Sequence, residues 1–591
     1  MHRTPPIYRL TFCAVAVAAL GACSQPEEPA DPRDSDVFWG MGTGAEWRHE
    51  FPRFHPIVKE AGVDWSRGFA EWKTIQPEPG VWDWEFTDRL IESLRENDLR
   101  NVVSWAYFAN FASADGGTRN GPIKDMQLWR DFVRATVERY HDDIKYWHVW
   151  NEFNGGFYSG EDRPQEYADL LVEAHAIAKE IDPTLQVGIN TASTDVGFIH
   201  EVIQDGGAGK FDFISVHPYE NLAALKYGDQ MGYLTVVDSI REMLEANGED
   251  PDTPIWITEI GAQTPVEPDA EADRYQAEIL AKAYLLAAVQ GFDRVLWFEI
   301  RGPTYGKDTD YGVLREDWTE RPSLDAFRTM VKLLGPTPDY QGWLDLERDG
   351  HGFRFDGPEG PVVAAWVAPN REDGAVSFDQ DVEVVSLLGE PRTLPAGETL
   401  SLGDEPVYLL GLPEGLLATA QANQDQPFPW DGDYADAEEI RIALGGEPQG
   451  EGIRKIYLRT DHEGRTEPAT VNGTDALKVV SSDKDNNFAY FRANKDYVGL
   501  GDNELDITVV ARRADSGQPA KMAITYETSE GYQDFKEGGE SWEIPAGDGW
   551  QEHTWSVDGA YFANKWGWNL GLINQGEPGF LIKEVRIKKR D

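Results

Sequence analysis

The sequence predicts an α/β fold, a (β/α)8 TIM barrel followed by a small β-sandwich and a C-terminal jelly-roll-like β-sandwich. From Val37 to about residue 336, short apolar runs alternate with amphipathic helical stretches, which is the rhythm of a parallel barrel. After residue 340 the helical pattern stops, and short strands separated by Gly/Pro turns follow. A doubly wound open sheet is the alternative, and the sequence lacks the glycine-rich nucleotide loop typical of that fold.

Eight apolar segments are the candidate barrel strands. They begin near Val37, Asp64, Arg100, Ile144, Leu185, Phe211, Pro254 and Phe292. Helical segments lie between them, such as residues 86–97 and 165–181, and a last helix at residues 324–334 closes the unit. The whole segment of about 300 residues is within the usual size of one TIM barrel.

The predicted domain boundaries follow changes in composition along 591 residues, a length that one core does not accommodate. Two terminal segments precede the folded part, and four segments compose it. They are a lipoprotein signal peptide (1–23), a flexible tether (24–36), the barrel (37–336), the small β-sandwich (337–417), a polar linker (418–435) and the C-terminal β-sandwich (436–591).

The N-terminus has the pattern of an export signal. Arg3 and Arg9 provide positive charge, and residues 10–20 form an apolar run that is too short for a stable transmembrane helix. Residues 20–23 (LGAC) resemble a bacterial lipobox, in which Cys23 is acylated; the alternative is an ordinary cleaved signal with an incidental cysteine. Because Ser24 follows, rather than an inner-membrane retention aspartate, we expect an exported protein held to the outer membrane by lipid on Cys23.

The overall charge and the cysteines exclude several classes of function. The formal net charge of −50 repels polyanions, so we expect no nucleic-acid partner, and it suits a marine or halotolerant source. The chain has two cysteines, of which Cys13 leaves with the signal and Cys23 carries lipid. A disulfide, a thiol nucleophile and a thiolate metal site are therefore not expected. The oligomeric state is not indicated by the sequence.

Two glutamates end two well-separated strands of the predicted barrel. Glu152 ends the fourth strand after Trp150 and Asn151, and Glu259 ends the seventh. A TIM barrel brings the C-terminal ends of its strands to one face, so the two carboxyl groups are expected to face each other. A single carboxylate at a strand end is more simply explained by a salt bridge. The prediction of an active site therefore depends on the presence of both glutamates.

This pattern resembles clan A of the glycoside hydrolases over residues 37 to about 336. The resemblance implies a retaining mechanism with Glu152 as acid/base and Glu259 as nucleophile, the two carboxyl groups lying about 5–5.5 Å apart. The order of domains, with residues 311–314 (YGVL) and 321–323 (RPS), is most similar to family 39, which includes β-xylosidases and α-L-iduronidases. Families 5, 30 and 42 share the same catalytic strands.

The clan resemblance also implies substrate-binding residues at the other strand ends. Arg67 is expected to keep the nucleophile ionised, and His217 and Tyr219 to approach the two carboxylates. Trp297 corresponds to the tryptophan that floors the subsite of the cleaved sugar, and Asn151 to the residue that binds the 2-hydroxyl group. No cofactor is required for this chemistry, and no metal is expected at the site.

The sequence departs from the clan pattern directly after the acid/base. The usual Trp-Asn-Glu-Pro has Phe153 in the proline position. Because the proline shapes the loop and does no chemistry, the change weakens the family assignment more than the catalytic prediction. Residues 154–158 are expected to form a flexible aromatic wall beside Glu152.

The substrate is indicated only by scattered aromatic and basic side chains. Tryptophans that could stack on sugars, or could equally be core, are Trp47, Trp72 and Trp105. Basic residues that could bind a uronate or sulfate group, or form surface salt bridges, are Arg48, His49, Arg301 and Lys307. The expected substrate is a plant or algal polysaccharide or its oligosaccharides, an anionic marine glycan being one option, with β-xylosidase-like action.

The C-terminal β-sandwich resembles a jelly-roll carbohydrate-binding module. Its tryptophans, which form either core or a sugar-stacking platform, are Trp542, Trp550, Trp555, Trp566 and Trp568. Such modules often hold a structural calcium ion, and the sequence leaves one open here. Two alternatives to an exo-acting hydrolase remain at this stage: an endo-acting polysaccharide hydrolase of the same clan, and a non-catalytic surface lipoprotein that binds glycan.

Overall fold

The computed structural model describes ten stretches of the chain. They are residues 37–44, 49–302, 307–346, 350–369, 374–445, 449–456, 466–479, 488–528, 535–576 and 579–590. The predicted signal peptide, the tether with Cys23, and the candidate residues Trp47 and Arg48 lie outside the described residues. No helix within the described stretches combines the length and apolar character needed to cross a membrane.

The described residues of the first domain form ten strands. They are β1 (Trp39–Gly42), β2 (Trp65–Ala70), β3 (Arg100–Trp105), β4 (Tyr146–Val149), β5 (Gln186–Ala192), β6 (Phe213–His217), β7 (Ile255–Ile260), β8 (Thr264–Pro265), β9 (Arg294–Phe298) and β10 (Thr309–Asp310). Strands β1 to β7 and β9 are parallel and close into a barrel, with β9 pairing back onto β1. The predicted eight-stranded barrel is confirmed, and β8 and β10 form a small antiparallel ribbon at its rim.

Eleven α-helices accompany these strands in the described part of the barrel domain. They are α1 (Phe51–Glu60), α2 (Trp72–Ile75), α3 (Glu85–Glu96), α4 (Met126–Tyr140), α5 (Arg163–Ile181), α6 (Val196–Val202), α7 (Tyr219–Ala224), α8 (Gln230–Leu234), α9 (Val236–Ala246), α10 (Ala270–Gln290) and α11 (Pro322–Leu334). Helix α11 begins with Pro322 in its first turn and ends before Gly335, residues that suit a helix start and a helix end.

The lower part of the barrel is filled by large side chains from several strands. Trp65, Phe213, Trp256 and Leu296 are buried there as one apolar cluster. Space for them is made by glycine: a Cβ atom at Gly40 would lie only 2.5 Å from Leu296 Cγ. The barrel is therefore a solid scaffold, and the polar residues at the C-terminal strand ends are held on a rigid base.

Two all-β domains follow the barrel, as predicted. The strands of the first are β11 (Asp339–Leu346), β12 (Gly350–Gly357), β13 (Gly360–Val367), β14 (Gly374–Ser377), β15 (Val382–Val385), β16 (Pro391–Leu394), β17 (Thr399–Leu402) and β18 (Val407–Leu410). They form a six-stranded sheet and, from β14 and β17, a two-stranded sheet.

The segment predicted as a linker, residues 418–435, is packed against the first β-domain. Helix α12 (Glu414–Ala422) runs into it, and Phe428 and Trp430 stack at 5.6 Å between ring centroids. Trp430 also lies 5.7 Å from Trp343. Phe428 and Trp430 are half-buried against neighbouring strands, so apolar packing holds this part of the predicted linker on the domain despite its polar composition.

The C-terminal domain is a two-sheet sandwich. Its strands are β19 (Ile440–Ala443), β20 (Gln449–Glu451), β21 (Ile453–Ile456), β22 (Thr466–Val471), β23 (Thr474–Val479), β24 (Phe488–Ala493), β25 (Asn503–Arg513), β26 (Lys521–Glu527), β27 (Phe535–Glu537), β28 (Trp542–Glu543), β29 (Gln551–Ala560), β30 (Leu570–Asn574) and β31 (Phe580–Lys589). One sheet contains seven strands and the other six. Trp542 and Trp555 are buried between the sheets and belong to the core, whereas Trp550, Trp566 and Trp568 are half-buried.

The C-terminal domain is docked onto the barrel by buried charges. Arg492 donates to Asp229 of the barrel at 2.7 Å and to Asp431 at 3.0 Å. A loop of residues 563–568, here called the docking loop, places Lys565 Nζ 2.6 Å from Asp195 of the barrel, and both side chains are almost fully buried. These contacts fix the domain against the face of the barrel where β5 and β6 end.

Candidate active site

Glu152 and Glu259 are brought together at the C-terminal mouth of the barrel. Glu152 follows β4, Glu259 lies in β7, and one ligand atom each from Glu152, Glu259 and His217 lie within 4.8 Å of one another. Their carboxylate oxygens are therefore close to the spacing of about 5–5.5 Å that a retaining pair uses, and below the 6.5–9.5 Å of an inverting pair.

A bulge in β7 aims Glu259 into the mouth. The pairing of β7 with β9 shifts register between Ile257 and Ile260. In a regular strand Thr258 and Glu259 would point to opposite faces, whereas here Thr258 contacts His217 and Glu259 contacts Arg67. The irregular strand end thus presents two successive side chains to the site.

Both oxygens of Glu259 accept hydrogen bonds. Arg67 Nη1 donates to Oε2 at 2.5 Å, and the hydroxyl of Tyr219 donates to Oε1 at 3.0 Å. Burial raises the pKa of Tyr219 well above its usual value, so this hydroxyl keeps its proton. The second guanidinium nitrogen of Arg67 donates to Asn151 Oδ1, which ties the residue before Glu152 to the group that holds Glu259. The carboxylate of Glu259 is thus bound by a buried cation on one oxygen and by a hydroxyl on the other.

His217 contacts Glu152 as a neutral imidazole. Its Nδ1 lies 2.6 Å from Glu152 Oε1, and burial lowers its pKa to about 3. Asn190 determines the tautomer: its Oδ1 accepts from the backbone N–H of Glu152 at 2.9 Å, which leaves its amide group to face His217 Nε2 at 3.0 Å. Since an amide NH2 group can only donate, Nε2 is the acceptor and Nδ1 carries the proton that is donated to Glu152.

The backbone around Glu152 has an unusual conformation. Trp150 and Glu152 have φ angles of 64° and 51°, in the left-handed region that non-glycine residues adopt at a cost of about 1–3 kcal/mol. Hydrogen bonds hold this conformation: Trp150 N–H donates to the carbonyl of Trp105 at 3.0 Å, and Glu152 N–H donates to Asn190. The turn points the Glu152 side chain into the mouth.

Phe153, which stands where the clan pattern has a proline, is part of an aromatic core beneath Glu152. Its side chain is fully buried and stacks on Tyr158 at 3.7 Å between ring centroids. Trp150 and Tyr167 pack edge-on against it at 5.3 and 5.2 Å. The loop that follows Glu152 is therefore anchored by packing, so the prediction of a flexible aromatic wall does not hold for Tyr158. Phe157 is half-buried at the surface of the loop.

Two predicted sugar-contacting tryptophans lie behind the barrel wall. Trp105 is fully buried, stacks on Trp147 at 4.6 Å and donates from its indole to Thr136 of α4. Trp297 is also fully buried, and its backbone N–H donates to the hydroxyl of Tyr284 in α10. Both predictions are wrong because these side chains face the helices rather than the mouth. Trp72 is likewise buried, and stacks on Phe132 of α4.

Phe298 occupies the place predicted for Trp297. Leu296 points into the barrel, so strand alternation directs Trp297 outward and Phe298 inward. The ring centroids of Phe298 and Tyr311 are 5.4 Å apart, and those of Tyr311 and Tyr219 are 6.0 Å apart. Tyr219 is the residue whose hydroxyl donates a hydrogen bond to Glu259. The sequence run Trp-Phe at the end of the eighth barrel strand offered two aromatic choices, and alternation decides between them.

Of the basic residues considered for anionic sugars, Arg301 has a structural role. It is buried, forms an ion pair with Glu50 and donates to the backbone carbonyl of Glu316. His49 and Lys307 are exposed. Arg301 is therefore a neutralised cation inside the protein and not a free anion receptor.

Asn190 and Thr258 are site residues that were not predicted. Asn190 contacts both Glu152 and His217, and Thr258 Oγ1 lies 3.1 Å from His217 Nε2. Both occupy the C-terminal ends of barrel strands, the position that generally carries function in this fold. That position was the available signal, but their contacts depend on the three-dimensional arrangement of β5, β6 and β7.

The three central side chains are also the one group of acidic and histidine residues, within the described stretches, that could hold a metal ion. Their own hydrogen bonds fit a catalytic pair better. Arg67 already provides a positive charge to Glu259, and the protonated Nδ1 of His217 faces Glu152.

Comparisons with known proteins find similarity to glycosidases over part of the chain. Residues 46–106 match the glycoside hydrolase 42 family model, described as β-galactosidase. A β-xylosidase of Geobacillus stearothermophilus is 26% identical over 233 residues, which are 34% of this chain and 46% of the relative. An aryl-phospho-β-D-glucosidase of Bacillus subtilis is 24% identical over 205 residues, 29% of this chain and 42% of the relative. The chain thus spans less than half the length of these two curated relatives.

The fold has a counterpart among solved structures. A family 39 glycoside hydrolase from Bacteroides cellulosilyticus matches with a TM-score of 0.53 and 20% identity, over 63% of this chain and 81% of that chain. The predicted resemblance to the clan A glycoside hydrolases is confirmed. The two carboxylates lie at the strand ends where the resemblance placed them, after β4 and in β7.

Proposed function

We propose that the protein hydrolyses O-glycosidic bonds with retention of anomeric configuration, by double displacement. The observation that carries this proposal is the pair Glu152 and Glu259, in which one carboxylate oxygen of each lies within 4.8 Å of the other. The two carboxyl groups have different hydrogen-bond partners. Glu259 faces a guanidinium and a phenol, while Glu152 faces a neutral imidazole. Unequal surroundings of two neighbouring carboxyl groups are what an acid and a nucleophile require.

The roles follow from these contacts. Glu259, kept anionic by Arg67, attacks the anomeric carbon while Glu152 protonates the departing oxygen. In the second step Glu152 removes a proton from water, and the water displaces the sugar from Glu259. Tyr219 and His217 keep the carboxyl groups oriented, and no external cofactor takes part in these steps.

The finer substrate assignment is a β-linked plant or algal glycan cleaved in a β-xylosidase-like manner. It is supported by the names of the matched relatives, which act on β-linked sugars, and by the aromatic lining formed by Phe298 and Tyr311. Half-buried Trp550, Trp566 and Trp568 support glycan binding by the C-terminal domain. A calcium ion in that domain stays a prediction.

The cellular location is proposed from the sequence alone. The LGAC motif and the polar residues 24–36 support a lipid anchor on Cys23 in the outer membrane. Mass spectrometry of the protein from membranes should find an acylated Cys23 at the N-terminus. An unmodified N-terminus elsewhere would contradict the anchor without affecting the hydrolase proposal.

The enzymatic proposal is tested with aryl glycosides and proton NMR. Glu259→Ala should abolish turnover, and Glu152→Ala should lower kcat/KM for poor leaving groups by about 100- to 10,000-fold while sparing good ones. Glu161→Ala, an exposed glutamate nine residues after the acid/base, is the matched control and should leave both rates unchanged. The first-formed product should keep the substrate's anomeric configuration; an inverted product would refute the mechanism.

A further inference from the structure

Arg119 lies across two aromatic rings beside the catalytic loop. Its guanidinium carbon is 4.5 Å from the ring centroids of both Tyr107 and Phe157. The two rings are nearly parallel, with an interplanar angle of 8° and centroids 5.8 Å apart. Both rings contact the guanidinium, and a guanidinium that packs on aromatic rings keeps its N–H groups available for hydrogen bonds.

Both rings are attached to the acid/base loop. The hydroxyl of Tyr107 accepts a hydrogen bond from Asn151 Nδ2 at 3.2 Å, next to Glu152 in the chain. The backbone carbonyl of Phe157 accepts from the indole of Trp150 at 3.3 Å. One aromatic residue therefore lies between Arg119 and each of the two residues that precede Glu152 in the chain.

The charge of Arg119 is not neutralised by a neighbouring carboxylate. The protein has 104 acidic and 54 basic side chains, so a cation generally has acidic groups at hand. Arg67 pairs with Glu259 and Arg301 with Glu50, but across the described residues no carboxylate lies within ion-pair distance of the exposed Arg119 side chain. A positive charge that is immobilised, exposed and unpaired at a catalytic mouth is suited to an incoming anion.

We infer that Arg119 binds an anionic substituent, a carboxylate or a sulfate ester, on a sugar next to the bond that is cleaved. This inference rests on the proposed hydrolase function and narrows its substrate class to acidic glycans. The forked guanidinium donates two parallel hydrogen bonds to a pair of oxyanion oxygens, which both groups provide. Tyr107 and Phe157 supply the flat surface that keeps the fork in place.

The competing explanation is that Arg119 is only a structural clamp. The chain provides an example of such a clamp: Arg139 of α4 lies 5.1 Å from the ring of Trp84 and 5.6 Å from that of Tyr140. Arg139, however, is paired with Asp88 at 2.6 Å. It is thus a matched control for stacking without a free charge.

The test compares Arg119→Gln, Arg119→Lys and Arg139→Gln in the full chain. Substrates are a uronate-substituted xylo-oligosaccharide and a sulfated galacto-oligosaccharide, each beside its carboxyl-reduced or desulfated counterpart. Arg119→Gln should lower kcat/KM about 10- to 100-fold for one acidic member while changing its neutral counterpart less than about 2-fold. Arg119→Lys should retain part of the preference because the charge remains and the fork is lost, and added salt should weaken it.

Titration calorimetry in a Glu259→Ala background measures the same preference without turnover. Weaker binding of an acidic ligand after Arg119→Gln, with Arg139→Gln unchanged, supports the inference, and the affected ligand distinguishes carboxylate from sulfate. Equal effects on acidic and neutral ligands, or none on either, overturn it and leave the structural clamp. Absence of turnover on every glycoside by the wild type would instead count against the hydrolase proposal, whatever the binding result.

Discussion

The buried pair of Lys565 and Asp195 predicts a large effect of one substitution at the domain interface. Lys565→Met keeps the length of the side chain and removes its charge. Asp195 would remain buried with hydrogen bonds from Asn154 Nδ2 at 2.5 Å and from Phe198 N–H at 3.0 Å. Breaking a buried ion pair costs about 3–5 kcal/mol, and these two remaining donors favour the lower end of that range.

A loss of about 3 kcal/mol corresponds to a more than 100-fold rise in the population in which the docking loop is open. Because a chain of several domains does not unfold in one step, the appropriate assay is hydrogen exchange of residues 563–568 rather than a global melting curve. Exchange of the docking loop should therefore rise about 100-fold in Lys565→Met, while the strands of the barrel keep their protection.

The matched control is Lys495→Met in the same domain. Lys495 also reaches across to the barrel, where it lies 3.2 Å from Asp238 and 3.3 Å from Glu242. These partners are more than half exposed, so the pair is worth less than about 1 kcal/mol. If the two lysine variants raised exchange equally, the argument from burial would be refuted.

Opening of the docking loop should also disturb the position of Glu152. Asn154 is two residues from Glu152, and its side chain is held by Asp195 and by the backbone of Ala192. Lys565→Met should therefore slow hydrolysis of glycosides with poor leaving groups, which need a well-placed acid, more than that of good ones. An equal loss for both kinds of leaving group would indicate damage that is not specific to the acid/base.

Three further predictions concern single residues. Phe298→Ala should raise KM for aryl glycosides without unfolding the barrel, whereas Trp297→Ala should lower the stability of the barrel by about 3–5 kcal/mol, as measured by hydrogen exchange of its strands. His217, whose pKa burial lowers to about 3, should show no titration of its ring shifts by NMR between pH 5 and 9. Burial raises the pKa of Glu527 to about 7 from 4.5, so the folded chain holds a proton that the unfolded chain has released; stability should fall as pH rises from about 4.5 to 7, and Glu527→Gln should flatten that slope in denaturant titrations.

The sequence predicts the order of the strands and the residues at which they end, but it predicts the direction of individual side chains less well. The apolar rhythm located all eight barrel strands, and the strand ends located Glu152 and Glu259. The side chain of Trp297 points outward because Leu296 beside it fills the barrel. The side chain of Trp105 points toward α4, where Thr136 accepts its hydrogen bond. Such choices are made by tertiary packing, which a local pattern does not contain.

Contacts between distant segments were beyond sequence reasoning for a similar reason. The docking of Lys565 on Asp195 joins residues 370 positions apart, with no shared motif to connect them. Arg119 was not among the candidates because its significance lies in what surrounds it: two rings from different loops and, within the described part of the chain, no carboxylate at ion-pair distance. Composition gives the number of charges, and only the fold says which of them are neutralised.

Phe153 has a consequence for heat resistance. A proline after the acid/base would limit the loop covalently, by fixing its own φ angle and restricting the residue before it. Here the loop instead depends on Phe153 remaining between Tyr158, Trp150 and Tyr167. Such a side chain can leave its pocket while the barrel stays intact, so warming should inactivate the protein reversibly at temperatures below those that unfold it. Substitutions intended to raise the temperature at which activity is lost should therefore target the residues around Phe153 rather than surface residues.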